Sequence, residues 1–322
     1  MKSVKLSILV MAAASFTACS SDNDVNPERS LRPLTIEVSE NPMVNPDAPA
    51  KARNTRAAIT TTSTLSAFNL EYVYGAQSST NGTPITANKN GEGKWSTSAN
   101  WPDTESEVKW YAHSHGTFQL TDDANKYPYI NFTVEENAAS QKDLLVATAS
   151  GTWDATGGNL SFTFDHACTA LRFLVKKANN LSDYTLSITH VQLCNVIKQG
   201  DYYFGTSLWT LGDTRSSYTL YSGTAKTLGT TDYEALDASA GPYLFMIPQT
   251  LTAWDGTTAI ASATTLTYIQ LTCSITKDDS NVYSGTAYIP FGATLAAGNQ
   301  HDVKINIGKN SLYSSANTKI IN

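Results

Sequence analysis

Apolar and polar residues alternate with period two in short runs along nearly the whole chain, and no window supports a helix of more than a turn or two. Phe68, Leu70, Tyr72 and Tyr74 share one face opposite Asn69 and Glu71. Leu160, Phe162, Phe164, His166 and Cys168 form a second row, and Val303, Ile305 and Ile307 a third. Successive side chains of a strand point to opposite faces, so each run fits a strand lying on an apolar surface. Turn dipeptides such as Asn81-Gly82 and Asn90-Gly91 punctuate the series. The expected fold is all-β, two tandem β-sandwich domains with Greek-key-like topology.

One stretch breaks the habit in an informative way. Leu34, Ile36 and Val38 point one way and Thr35 and Glu37 the other, as in a strand. Pro42, Pro46 and Pro49 follow, interleaved with Asn41, Asn45 and Asp47, and predict a loop that cannot donate ladder bonds regularly. The loop runs into Arg53 and Arg56 among small residues, where an extended chain invites proteolysis. One good strand is therefore expected to hang on the body through a cleavable tether.

The leader MKSVKLSILVMAAASFTAC has a positive start, Lys2 and Lys5, and an apolar run from Leu6 to Ala14 too short to span a bilayer. Phe16-Thr17-Ala18-Cys19 is similar to a bacterial lipobox, which makes Cys19 the lipidated first residue of the mature chain. The competing expectation is an ordinary secretory signal cut near Ala18. Ser20 to Asp24 resembles the acidic export signals of surface lipoproteins, and lipid would be the membrane anchor. Without Lys2 and Lys5 the basic residues number 20 against 28 acids, which argues against nucleic acid as a partner.

Four expected segments follow: a signal peptide at 1–18, a lipid-linked segment with a removable first strand at 19–56, and domains at 57–157 and 158–322. Gly157-Gly158 marks the boundary, with Ala178 to Asp183 as a competitor. Cys168, Cys194 and Cys273 are odd in number and widely spaced, so they are expected in the core rather than in disulfides or a metal site.

No catalytic set emerges. His113 and His115 could chelate a metal, but no acidic or Cys partner is near in sequence; a strand end is the simpler reading. His166 reads as a core histidine with a backbone partner. No nucleophile elbow, P-loop or dinucleotide fingerprint is present, and a glycosidase pair of carboxylates would have to come from distant positions. Catalytic residues, metal and cofactor are accordingly expected to be none. Trp95, Trp101, Trp110, Trp153, Trp209 and Trp254 could stack on sugars or fill cores; Trp110 follows strand alternation and belongs to a core.

The lipobox, the strand ahead of an arginine site, F-D-H-A-C-T-A-L-R-F-L-V (Phe164 to Val175), P-Y-L-F-M-I-P-Q (Pro242 to Gln249) and the run from Tyr288 to Gly308 together resemble the fimbrillin family, type V pilins and pilin-like surface lipoproteins. The resemblance implies two β-sandwich domains, export to the outer membrane as a lipoprotein through Cys19, and removal of the first strand after Arg56, or Arg53. Other fimbrial subunits would be partners by donor-strand exchange. In polymerising members the donor is the C-terminal end. Here Lys309 to Asn322 is sparse in apolar residues, so a donor, a tip and an anchor role all stay open; an anchor would keep its lipid and stay uncut. The competing expectations are a monomeric surface lipoprotein that binds glycan or host protein, and a surface hydrolase.

Overall fold

The computed structural model describes residues 32–46, 64–75, 77–78, 84–102, 104, 106–120, 127–236 and 243–321. Cys19, Arg53 and Arg56 lie outside them. Strand is the dominant regular structure of the described residues, as the alternation predicts; among them one four-residue α-helix, Trp153–Thr156, and four 3₁₀ turns interrupt it.

Seven strands close into a barrel. In order around it they are Ala67–Tyr74, Ile85–Lys89, Trp95–Ser96, Thr35–Glu40, Asn159–His166, Leu145–Gly151 and Val108–His113, which pairs back to Ala67–Tyr74. The two layers expected for the first unit thus join at their edges, which removes exposed strand edges. The interior holds Phe68, Leu70, Trp110, Leu145, Leu160, Phe162 and Phe164, all but Leu145 the inward members of alternating runs. Trp110 is fully buried there, as its place in the alternation predicts.

Most of the remaining described residues pack around a second core. A four-stranded antiparallel sheet, Arg215–Thr227, Thr185–Ile197, Tyr268–Lys277 and Ser280–Pro290, supplies Leu186, Ile188, Leu193, Ile269 and Leu271. Thr169–Lys177, paired in parallel with Gln300–Ile307, contributes Leu171, Phe173 and Val175 to the same core. A further sheet, Leu208–Leu211, Gln199–Tyr203, Tyr129–Thr133 and Thr117–Gln119, lies against the outer wall of the barrel. There Tyr111 meets Phe118 and Phe204 at ring distances of 5.7 and 4.9 Å. Cys168, Cys194 and Cys273 are free and buried.

Strand membership crosses chain order. Tyr129–Thr133 pairs with Gln199–Tyr203, whereas Asn159–His166 completes the barrel. The tail does not hang free. Tyr313 exchanges two backbone bonds with Tyr288, and Leu312 and Ile321 are buried in the second core.

Candidate functional site

The first strand sits in the barrel wall between two neighbours from remote parts of the chain. Its residues pair in parallel with Asn159–His166 over their whole length, from Thr35 opposite Asn159 to Glu40 opposite Phe164. The other edge is thin: Ile36 opposes Trp95, and Trp101 donates its backbone N–H to the carbonyl of Arg32 at 2.7 Å. Parallel neighbours cannot be two arms of a tight hairpin. The strand is therefore held by its pairing and packing, and by the chain that follows it.

Alternation places the side chains. Leu34 and Ile36 are buried in the barrel and Val38 is half-buried against the same cluster. Outside, Ser161 donates to Glu37 at 3.2 Å, Ser39 and Thr163 share a hydrogen bond at 2.9 Å, and Asn41 donates to Asp165 at 2.7 Å. Three buried or half-buried apolar side chains amount to roughly 5–9 kcal/mol gross at about 1.5–3 each.

The inward row Leu34, Ile36, Val38 ends in Glu40, just as Leu160, Phe162, Phe164 ends in His166. Glu40 Oε1 lies 3.1 Å from His166 Nε2, and Asp143 bonds the other ring nitrogen, Nδ1. The side chains of Asp143, His166 and Glu40 are 0, 2 and 12% exposed. Burial alone would push His166 down, but the hydrogen bond and charge of Asp143, joined by the charge of Glu40, hold it above the usual histidine value. Burial outweighs His166 at Asp143 and pushes that carboxyl up. The backbone partner expected for His166 is replaced by two carboxylates, because the barrel ends here and side chains rather than ladder groups meet it.

Beyond Glu40 the chain does not leave the body at once. Asn41 N–H donates to the Phe164 carbonyl, Val44 N–H to Gly298, and Gln300 N–H to Val44, at 2.8–2.9 Å. Met43 is buried in the second core and Asn45 is buried beside it. The segment read as a plain proline loop therefore ties the first strand to both cores. Arg32, just ahead of the first strand in the segment expected to be lipid-linked, is buried too, with its guanidinium over the Trp153 ring at 5.5 Å.

The remaining candidates fall apart. His113 pairs with Glu71 at 3.1 Å while His115 bonds Ser114 and the Asp143 carbonyl, and no group of three metal-ligating side chains occurs among the described residues. Trp101, Trp110 and Trp254 are buried, and Trp95, Trp153 and Trp209 are half-buried. No helix among the described residues is long and apolar enough to cross a membrane.

The geometry defines an all-β protein whose barrel is completed by its own N-terminal strand. Comparison with known families then places the chain: a fimbrillin-like family model matches residues 54–320, and the protein belongs to that family. A search of curated sequences returned no match. Among solved structures, a fimbrial protein from Bacteroides vulgatus aligns with a TM-score of 0.55 at 16% identity, covering 86% of this chain and 96% of that one. A candidate cell adhesion protein from Bacteroides ovatus aligns at 0.47 and 14%, covering 87% and 94%. Another from Bacteroides uniformis aligns at 0.41 and 18%, covering 77% and 88%. At these identities the likeness concerns the fold, and of the three the first alone exceeds a TM-score of 0.5.

Proposed function

We propose that the protein is a structural or accessory subunit of a cell-surface fimbria, without enzymatic activity. It is exported as a lipoprotein through Cys19 and held at the outer membrane by lipid. Cleavage after Arg56, or Arg53, frees the segment that carries Leu34, Ile36 and Val38, and a strand from another subunit takes its place. The observation that carries this reading is the seat itself: a strand with two sequence-remote neighbours, one of them parallel, whose loss opens a closed barrel. An opened wall presents two unpaired rows of backbone groups, the setting for β-augmentation.

The fimbrial description of the Bacteroides vulgatus relative supports a surface role of this kind. The test is to expose folded full-length precursor to an arginine-specific protease and follow mass and oligomer size. One cut in the 47–63 segment followed by higher oligomers is the expected result. An uncut chain, or a cut chain that stays monomeric when mixed with partner subunits, overturns the proposal.

A second reading, a glycan-binding surface lipoprotein, has one observation in its favour. A groove of about 340 Å³ is lined by Tyr111, Tyr127 and Phe204, with Tyr127 51% exposed. Glycan-array binding abolished by Tyr127→Ala would favour it.

A further inference from the structure

We infer that the barrel seat selects its occupant by a hydrogen-bonding charge as well as by shape. The strand that fills it after exchange carries a carboxylate six positions beyond its first buried apolar residue, facing His166. It comes from a different subunit rather than from the tail of a second copy. The inference rests on the strand-exchange reading above.

Three inward rows of the barrel end together, in Glu40, His166 and Asp143. His166 turns Nδ1 to Asp143 and Nε2 to Glu40, so both ring nitrogens are engaged in a site almost without solvent. When the first strand leaves, Asp143 and His166 stay behind and the Nε2–H faces an empty position. An apolar residue entering there strands a buried donor, which costs far more than a hydrogen bond between exposed groups. A lysine or arginine offers the Nε2–H no acceptor and brings an unpaired cation into a buried site. A carboxylate restores a charge-assisted bond. The polar pairs on the outer face, Glu37 with Ser161 and Ser39 with Thr163, are exposed and discriminate little.

The chain's own tail does not meet the requirement. Lys309 to Asn322 contains no Asp or Glu. Its two best apolar side chains, Leu312 and Ile321, already fill the second core, and Tyr313 is paired with Tyr288. A donor from a second copy would have to abandon those contacts and would still offer His166 no carboxylate.

The test uses the full chain nicked at a protease site inserted within 47–63, so that it does not depend on Arg56. The nicked protein is unfolded, then refolded with an excess of fluorescent peptide, and occupancy is read by anisotropy after removal of free peptide. The peptides are residues 32–46, the same with Glu40→Gln or Glu40→Leu, and residues 309–321. The expected order is native first, Glu40→Gln weaker, and Glu40→Leu at least about tenfold weaker, with the tail peptide not retained. Equal retention of the Glu40→Leu peptide, or retention of the tail peptide at the native level, overturns the inference while leaving strand exchange intact. Failure of every peptide, the native one included, overturns the strand-exchange reading and the inference with it.

Discussion

Glu40 and His166, 126 residues apart in the chain, face each other at 3.1 Å where the barrel ends, and Asp143 closes the trio from the far side of the ring. This contact joins the first strand to the body through a titratable group. The other ties of that strand are backbone pairing, apolar burial and exposed polar bonds.

The trio makes stability depend on pH. His166 is raised in the folded state, so its contribution is full below the ordinary unfolded value of about 6.5 and is lost as pH rises through the folded value. Asp143, also raised, works in the same direction. His115, lowered chiefly by burial, works in the opposite sense as pH falls. Thermal stability should therefore decline as pH rises above about 6.5, through the raised folded value of His166. His166→Gln should be less stable at pH 6 and markedly flatter across that window. Melting curves of both proteins at several pH values check this; equal slopes would assign the dependence to other groups.

Met43 ties the same segment to the second core. Met43→Ala leaves a cavity there, at an expected cost of about 2–4 kcal/mol. Urea unfolding followed by Trp fluorescence measures it. Limited proteolysis of the 47–63 segment should quicken in parallel, since the chain just ahead of it loses its anchor.

Gly158 buttresses the approach of the strand without contributing a side chain. Its φ is +82°, and a Cβ there would lie 2.4 Å from the Trp153 ring and 2.7 Å from the carbonyl oxygen of Pro33. Its own carbonyl accepts from Thr35 N–H. Gly158→Ala should destabilise by more than about 1 kcal/mol through backbone strain alone. Hydrogen exchange should show the loss of protection concentrated at Thr35 to Val38, with the second core unaffected.

The tail is packed against the body of the protein. Leu312→Ala should cost about 2–5 kcal/mol, because Leu312 is wholly enclosed by the second core. Lys319→Ala, at an exposed position in the same hairpin-like return, should change stability by less than about 0.5 kcal/mol. Paired denaturation curves of the two variants decide whether the tail is packed or loose.

Much of this was legible without coordinates. Period-two alternation marked Leu34, Ile36 and Val38, the inward row Leu160 to His166, and Trp110 as a core residue. Odd number and wide spacing put Cys168, Cys194 and Cys273 in cores. Met43 and Asn45 carried no such mark, since proline on both sides removes the period that makes burial visible. The charged ends of two rows, Glu40 and His166, were each in view. Their meeting was not, because it depends on which strands become neighbours and in which register.

The order of residues in this chain determined its local grammar: extended segments, their turns, the face each side chain presents, and a proline-rich tether ending in arginines. Alternation is a property of neighbours in sequence and needs no partner. Tertiary structure decided that the first strand closes a barrel beside a segment from 159–166, that Met43 reaches a second core, and that Asp143, His166 and Glu40 share one site. Those are pairings between separate segments, most of them more than a hundred residues apart, fixed by the joint packing of two cores, and no run of adjacent residues encodes them.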